Sequence, residues 1–329
     1  MGTRIPLNVP INSNTHKFVN GNLLQACPPE IDVADWDIFL DEMQRADDLI
    51  IQDHFVQLDL ELNSGCNMAC PFCKHGYEDV PDINVDLNHY KNLIADAVRL
   101  GARSLKLNYI NEPLLRRDLE EVISYAKEIG MLNVYLVTNG TLLIKSRRQK
   151  MIDSGITKIF VSIDAATAET YNQQRLDGRF NKVVSNVCAL VKERNDQGKQ
   201  FPLIRVSFLK NQLNIHEVEM FEEFWEDKVD LIAFQKMNEV PDQDTGLVFD
   251  SNSLPDRGCS FPFKQLVVDA EGDILPCCTL YGKKLALGHI DSMSLSEAWE
   301  SDKMKTLQIS HQSKAWQENP ICSACMAGG

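Results

Sequence analysis

The sequence lacks a long apolar run. No stretch of about 18 consecutive apolar residues occurs, which excludes a membrane-spanning helix. The first residues, MGTRIPLNVPINSNTH, are polar, and they have neither the apolar stretch of a secretory signal peptide nor the arginine-rich character of a transit peptide. We therefore expect a soluble, cytoplasmic protein without a membrane partner.

Basic residues are also scarce. The chain has 33 lysines and arginines against 47 aspartates and glutamates, which gives a formal net charge of -14. Such a surface repels phosphate backbones unless a local basic patch compensates. The basic stretch KSRRQK, residues 145–150, is typical of a solvated helix face. We therefore expect no nucleic-acid partner.

Solenoid repeats and low-complexity tracts are absent as well. The chain has 329 residues, of which 44% are apolar, and this is enough for one large or two ordinary domains. Ten cysteines are present. Disulfides are rare in a reducing compartment, so clustered cysteines indicate metal ligands or reactive thiols.

A pattern of short apolar runs separated by helical segments begins near residue 55. Six runs have the character of strands: FVQLDLEL (55–62), SLKLNY (104–109), NVYLVT (133–138), KIFVSID (158–164), LIRVSFL (203–209) and VDLIAFQ (229–235). Alternating strands and helices predict an α/β fold with parallel pairing and right-handed crossovers. The pattern fits a doubly wound sheet or a partial barrel, and either fold binds its ligand at the carboxyl ends of the strands.

The remaining segments divide the chain into further units. Residues 1–54 form an N-terminal extension with a predicted helix around residues 33–48, and residues 55–236 form the core. The Pro, Gly, Asp and Ser content of residues 237–258 indicates a linker or lid. Residues 259–329 form a small C-terminal domain, with a predicted hairpin at Glu271-Gly272 and one helix opened by Ser294 over SLSEAWESDKMKTLQ.

Three cysteines follow the first predicted strand. Cys66, Cys70 and Cys73 have the spacing of one helix face, but Pro71 removes a helical hydrogen bond, so a tight loop that turns the thiolates inward is favoured. A structural zinc ion takes four protein ligands, and no fourth cysteine or suitably spaced histidine completes the set, although His75 is near. Three thiolates can instead hold three irons of a 4Fe-4S cluster and leave the fourth iron open.

The C-x3-C-x2-C motif, with Phe72 before its last cysteine, resembles the signature of the radical S-adenosylmethionine (SAM) superfamily. Three further segments fit the order of that family. They are NYINEP (108–113), VTNG (137–140), and VSID (161–164) followed by YNQQR (171–175). NYINEP is similar to the family's Gly-Gly-Glu-Pro motif, although Ile110 and Asn111 replace the two glycines.

The resemblance implies roles for residues in these segments. Glu112 would accept a hydrogen bond from the methionyl ammonium of SAM, Ser162 and Arg175 would hold its carboxylate or ribose, and Phe72 would lie beside the adenine. Asn111 and Asn139 are further expected cofactor contacts. With this resemblance we predict a partial (β/α)6 barrel of parallel strands and a small C-terminal auxiliary-cluster domain.

The family's chemistry explains the need for an open iron. The amino and carboxylate groups of SAM would chelate that iron, and electron transfer would release methionine and a 5'-deoxyadenosyl radical that abstracts hydrogen from a substrate. A reducing partner such as flavodoxin or ferredoxin is implied. The protein positions the target carbon and keeps water out.

A second set of cysteines lies near the C-terminus. Cys259, Cys277, Cys322 and Cys325 would satisfy a structural zinc site. In the context of the first motif, however, GDILPCC followed by LGHIDSMSLSEAW resembles the SPASM/Twitch extension of radical SAM enzymes, which carries auxiliary iron-sulfur clusters. After Cys325 only MAGG follows, so we expect one fully ligated auxiliary cluster, and two 4Fe-4S clusters in all.

Several reactions are open to such an enzyme. We favour two-electron oxidation of an alcohol carbon in a small sugar-like or cyclitol-like substrate, because an auxiliary cluster can accept the second electron. An epimerase would need a hydrogen donor such as Cys278, and a peptide maturase is a third possibility. Gln235, Lys236 and Asn238 are candidate substrate contacts. The alternative that is not an enzyme is a binding module held together by zinc at its cysteine sites.

Overall fold

The computed structural model describes residues 16–176, 179–249 and 255–327. Ten strands in these ranges form one sheet with the order β1-β7-β6-β5-β4-β3-β2-β8-β9-β10. The strands are β1 (His16–Val19), β2 (Gln57–Leu60), β3 (Ser104–Lys106), β4 (Asn133–Thr138), β5 (Lys158–Ser162), β6 (Leu203–Lys210), β7 (Leu231–Lys236), β8 (Gln265–Val268), β9 (Asp273–Leu275) and β10 (Gly288–His289).

Eleven α-helices accompany the strands in the described part of the chain. They are α1 (Val33–Asp47), α2 (Leu87–Arg99), α3 (Leu119–Glu128), α4 (Lys145–Asp153), α5 (Ala168–Gln174), α6 (Phe180–Asp196), α7 (Val218–Trp225), α8 (Phe261–Lys264), α9 (Leu295–Glu300), α10 (Asp302–Gln312) and α11 (Pro320–Ala327). None of these helices is long and apolar enough to cross a membrane.

The six predicted strands are confirmed as β2 to β7. Each pairs in parallel with the next, so their order in the sheet follows their order in the chain. A doubly wound sheet reverses its strand order at a switch point within the parallel core, and the run from β2 to β7 has no such reversal. Right-handed crossovers in one direction place all connecting helices on one face and curl the sheet. The fold is therefore the predicted α/β partial barrel.

The two faces of the sheet differ in chemistry. Leu58, Leu60, Leu105 and Phe208 belong to the main hydrophobic core, which packs against the helices. The alternate residues face the inside of the curl, which we call the lumen face, and many of them are polar. On β2 to β6 the lumen face includes Gln57, Asp59, Ser104, Lys106, Asn133, Tyr135, Lys158, Phe160, Ser162, Arg205 and Ser207.

The predicted N-terminal helix is confirmed as α1, and it closes the amino-terminal ends of the strands. Its Trp36 is 1% exposed, packs with Phe39 and Val56, and donates to the carbonyl of Gln25 at 2.8 Å. The ammonium of Lys158, at the start of β5, lies 5.3 Å from the centre of the Trp36 ring. Helix α1 therefore packs at the amino-terminal ends of β2 and β5, opposite the ends that carry the motif loops.

The C-terminal segment extends the same sheet. Strand β8 pairs in parallel with β2, and β9 returns antiparallel through the predicted hairpin, where Gly272 takes a positive φ of 96°. The single helix predicted after Ser294 is wrong, because the chain breaks at Ser301 into α9 and α10. Ser301 is extended, and its hydroxyl accepts from the N–H of Met304, which starts a new helix.

Candidate functional site

The three cysteines of the first motif lie on a loop after β2, as predicted, and not on a helix. The Cys70 carbonyl accepts from the N–H of Cys73 at 3.0 Å, and the Cys73 carbonyl accepts from the N–H of Gly76 at 2.8 Å. A Cβ atom added at Gly76 would lie 2.3 Å from the Cys70 carbonyl oxygen. The tight loop therefore requires glycine at this position.

Burial dominates the electrostatics of these thiols. It raises the pKa of Cys66 to about 12 and that of Cys73 to about 11, and it also raises the pKa of Cys70. The negative charges of Glu112, Cys70 and Cys73 add to the effect at Cys66. Desolvated thiols of this kind become thiolates when they bind a cation, which is the donor chemistry of an iron-sulfur cluster.

The spacing of the thiols does not fit a single zinc ion. Four sulfurs bound tetrahedrally at zinc would lie about 3.8 Å apart. Within the described ranges, the only trio of possible ligand atoms within 4.8 Å of one another is Asp269, Glu271 and Asp273. That trio surrounds the ammonium of Lys283, with contacts of 2.5, 2.9 and 2.6 Å. Both cysteine sets are therefore spread for a larger group than one ion.

Glu112 joins the ends of β3 and β4. Its carboxylate accepts from the N–H of Leu114 at 3.0 Å, the hydroxyl of Thr138 at 2.7 Å and the N–H of Asn139 at 2.7 Å. Burial raises its pKa, although these hydrogen bonds oppose the shift. Its backbone N–H also donates to the carbonyl of Gly65, which anchors the cysteine loop.

Two asparagines at these strand ends complete the scaffold. The amide of Asn139 donates to Asn67, inside the cysteine loop, at 2.8 Å. The side-chain oxygen of Asn111 accepts from the N–H of Tyr109, and its amide donates to Asn63 at 3.0 Å. Asn111 therefore fixes the loop in which Ile110 and Asn111 replace the family's two glycines. Its side-chain oxygen and amide both form hydrogen bonds within the protein.

Arg175 is buried beside the first cysteine set, with Asp164 as its partner. Its Nε and Nη2 donate to one oxygen of Asp164 at 3.1 and 2.5 Å. Its Nη1 lies 4.0 Å from the sulfur of Cys70, and its guanidinium lies 5.8 Å from the centre of the Phe72 ring. Burial alone would lower the pKa of Arg175, but Asp164 and then Cys70 raise it.

Asp164 is not among the site residues that the sequence patterns predict. It has a left-handed backbone with φ of 63°, and its second oxygen accepts from the N–H of Leu209 on β6. A non-glycine residue at positive φ is uncommon, and aspartate is among those that tolerate it. The quoted VSID segment contains this residue, but its pairing with Arg175 depends on the fold.

The other predicted contacts are distributed over different surfaces. Ser162 is half-buried on the lumen face, in register with Ser207. Alternation along β7 places Gln235 on the lumen face and Lys236 on the opposite face. Asn238 donates to the sulfur of Cys325 at 3.6 Å, so it contacts the second cysteine set.

The four cysteines of the second set line one cavity. Cys322 and Cys325 lie on one face of α11, and Cys259 and Cys277 face them from the segments that flank β8 and β9. A Cβ atom added at Gly282 would lie 2.5 Å from the carbonyl oxygen of Cys277. Burial raises the pKa of Cys259 to about 12 and that of Cys322 to about 11, so these thiols also suit a cluster that binds them as thiolates.

Cys278 lies between the second cysteine set and the lumen. It is half-buried and packs with Tyr109, Val267 and Leu275. The Tyr109 hydroxyl donates to the carbonyl of Thr279 at 2.6 Å, which fastens the end of β3 to this segment. The Cys278 thiol therefore lies beside the second cysteine set and against the segment that follows β3.

Comparison with known families decides the identity of the core. The model of the Radical SAM superfamily matches residues 60–224, half of the 329-residue chain. The chain belongs to the radical SAM superfamily. A second model, the iron-sulfur cluster-binding domain SPASM, matches residues 259–326. This radical SAM chain therefore uses SAM with a 4Fe-4S cluster, and its SPASM region carries auxiliary iron-sulfur chemistry.

Curated relatives of this radical SAM chain differ in activity. It is 34% identical over 134 residues to an AdoMet-dependent heme synthase of Methanosarcina barkeri and 32% identical over 172 residues to a probable GTP 3',8-cyclase of Metallosphaera sedula. These matches cover 40% and 52% of the chain but only 38% and 51% of those relatives, so the chain spans about half of their length or less.

A longer match is to the S-adenosyl-L-methionine-dependent 2-deoxy-scyllo-inosamine dehydrogenase of Niallia circulans. The identity is 23% over 281 residues, covering 82% of the chain and 92% of that enzyme. Among solved structures, BtrN in complex with AdoMet and 2-DOIA has a TM-score of 0.51 at 19% identity, covering 82% and 91% of the two chains. Streptococcus suis SuiB bound to precursor peptide SuiA has a TM-score of 0.60 at 14% identity, covering 87% and 76%. These structures share the fold.

Replacing Gly76 with alanine should abolish assembly of the first cluster. The added Cβ would collide with the Cys70 carbonyl, so the loop must open and the thiols must separate. We expect the iron content of anaerobically reconstituted protein to fall from about eight to about four per chain. Gly198→Ala is the control for backbone strain alone, because its φ of 67° disfavours alanine while no atom lies within 4 Å of the added Cβ, and it lies outside both cysteine sets. Equal iron content in the two variants would contradict the requirement for glycine at position 76.

Replacing Asp164 with asparagine should strongly destabilise the chain. Asparagine tolerates the left-handed backbone and can still accept from Leu209, but Arg175 would lose the buried carboxylate to which it donates. We expect a loss of about 3–5 kcal/mol in the free energy of unfolding, measured by denaturant titration. The control is Glu193→Gln, because the Glu193 side chain is 28% exposed and that of Asp164 only 2%, and it should cost about 1 kcal/mol or less. Similar losses of unfolding free energy in the two variants would argue that burial of the Asp164–Arg175 pair has no added effect on stability.

Proposed function

We propose that this chain is a radical SAM oxidoreductase that oxidises an alcohol carbon of a small polar substrate to a ketone. The observation that carries the proposal is the complete set of four cysteines in one cavity at the edge of the core sheet. A fully ligated cluster has no open iron for substrate, so it suits electron transfer. Strand β8 pairs directly with β2, and β2 leads into the first cysteine loop. The two cysteine sets are therefore carried by segments that adjoin neighbouring strands of the sheet.

The first site would be completed by residues of this chain. Cys66, Cys70 and Cys73 would bind the cluster that supplies reductive cleavage of SAM. Glu112 would accept from the SAM ammonium with its remaining lone pairs, and Asn139 and Ser162 would line the same pocket. Phe72 would lie beside the adenine. Arg175 would hold the SAM carboxylate while Asp164 keeps its guanidinium oriented.

The second site would accept the electron that oxidation releases. When the substrate loses a hydrogen atom to the SAM-derived radical and a proton to a base, one electron remains, and the cluster held by Cys259, Cys277, Cys322 and Cys325 would accept it. The buried lining of that cavity keeps the thiols away from water, which limits loss of the electron to solvent. Asn238 supports Cys325 in this arrangement.

The lumen face supports a polar substrate. Its side chains are amides, hydroxyls and charged groups over most of β2 to β6, and they can pair with substrate hydroxyls. Gln235 is positioned to extend this surface. The long match to the 2-deoxy-scyllo-inosamine dehydrogenase agrees with a polyol substrate. A reducing protein such as flavodoxin or ferredoxin would supply the first electron, and residues 55–236 and 259–329 would act as core and auxiliary units.

The dehydrogenase proposal predicts that the second site is needed for product but not for SAM cleavage. Cys322→Ala removes one ligand of the auxiliary cluster. With dithionite as reductant and 2-deoxy-scyllo-inosamine and related cyclitols and sugars as substrates, we expect 5'-deoxyadenosine to persist while ketone formation falls by about 100-fold or more.

Cys188→Ala is the control for this experiment, because Cys188 lies on α6, outside both cysteine sets. It should leave both products unchanged. Chromatography and mass spectrometry measure 5'-deoxyadenosine and ketone together, and the two should form in equal amounts in the unmodified enzyme. Normal ketone formation by Cys322→Ala would refute the role of the auxiliary cluster.

Epimerisation is the second candidate, because Cys278 lies beside the lumen and could return a hydrogen atom. The two candidates make opposite predictions for Cys278→Ala. For a dehydrogenase we expect unaltered ketone yield, because the thiol is not among the four auxiliary ligands. If an inverted product forms in the unmodified enzyme and disappears in Cys278→Ala while SAM cleavage continues, the reaction is epimerisation. Product stereochemistry by NMR separates the two.

A further inference from the structure

Two cations on the lumen face have no carboxylate partner among the described residues. Lys158 donates to the side-chain oxygen of Asn133 at 2.7 Å and is 5% exposed. The guanidinium carbon of Arg205 lies 3.4 Å from the centre of the Phe160 ring, so the two planes can stack. Stacking leaves the N–H edges of a guanidinium free to bind an anion.

The other charges on this face are compensated within the chain. Lys106 pairs with Asp59 at 3.1 Å, and both side chains are buried. The carboxylate of Glu61 accepts from the N–H groups of Ile110 and Ala270 at 3.0 and 3.1 Å. Lys158 and Arg205 are therefore cations that no carboxylate of the described chain pairs with, although the formal net charge of the whole chain is -14.

Two donors on β6 are buried without a partner. Neither Nε of Arg205 nor the hydroxyl of Ser207 has a hydrogen-bond partner in the described chain. Ser207 is 4% exposed, and it lies two residues beyond Arg205 on the same face, toward the carboxyl ends of the strands. Buried polar groups are normally paired, and an unpaired buried charge is costly. A ligand that supplies acceptors would remove both penalties.

The electrostatics agree with a missing anion. Burial lowers the pKa of Arg205 to about 10, which still leaves the guanidinium charged at neutral pH. Burial also lowers the pKa of Lys158 to about 7, and the positive charges of Arg205 and Lys127 add to that shift. A bound anion would reduce this repulsion and favour the charged form of Lys158.

We infer that Arg205, with Ser207 beside it, binds an anionic group of the substrate, either a carboxylate or a phosphate. The inference rests on the proposed function, and it narrows the substrate to a polyol acid or a polyol phosphate. Leu209 lies four positions beyond Arg205 and contacts Asp164 at the proposed SAM site, and the strand rises about 13 Å over that distance. A sugar-sized molecule anchored at Arg205 can thus present its far carbons toward the radical.

Binding of simple anions to the reconstituted holoenzyme tests the inference without turnover. Inorganic phosphate and acetate serve as probes in isothermal titration calorimetry at constant ionic strength. We expect the unmodified holoenzyme to bind at least one of them, and Arg205→Gln to bind it about tenfold or more weakly, because a charge-assisted fork is lost. Ser207→Ala should weaken binding about fivefold. The more tightly bound probe identifies phosphate or carboxylate as the substrate group.

Arg99→Gln is the matched control, because Arg99 is an exposed helix residue. If the unmodified holoenzyme binds neither anion at millimolar concentrations, or if Arg205→Gln binds as tightly as Arg99→Gln, the inference is wrong. Should Arg205→Gln lose its iron, Arg205→Lys replaces it, because lysine keeps the charge without the fork, and unchanged binding would again overturn the inference. Ketone formation is measured separately, so either proposal can fail alone.

Discussion

The buried carboxylate of Glu112 accepts three hydrogen bonds at the point where β3 and β4 end, and the backbone of the same residue holds the cysteine loop after β2. Because a buried carboxylate must be satisfied, its donors fix the relative positions of these strand ends. The cysteine thiols, Asn139 and the Arg175 pair all depend on that arrangement. Parallel pairing of consecutive strands brings the loops together, and the Glu112 network holds them there.

Much of this arrangement follows from the sequence because it is local. The six strands have apolar runs of the right length, Pro71 excludes a helix through the first cysteines, and Glu271-Gly272 has the chemistry of a tight turn. The order of motifs along the chain then predicts which loops meet, since the carboxyl ends of parallel strands share one edge. The family and its cofactors follow from the cysteine spacing.

Other features depend on contacts between distant residues and could not be predicted. Asp164 reaches Arg175 only because its backbone is left-handed, and Asn238 reaches Cys325 across 87 positions of the chain. The break at Ser301 arises because a serine hydroxyl can cap a new helix as readily as it can lie within one. Likewise, the overall negative charge gives no sign of the two lumen-facing cations without carboxylate partners, Lys158 and Arg205, since net charge carries no information about where individual side chains are buried.

The parallel pairing of β8 with β2 covers what would otherwise be an open edge of the core sheet. Without residues 259–327, the backbone N–H and C=O groups along the outer side of β2 would have no strand beside them, and an exposed edge of that kind recruits other chains. The segment that carries the second cysteine set thus also covers this edge of the core sheet. Loss of residues 259–327 should therefore expose β2 to pairing with other chains.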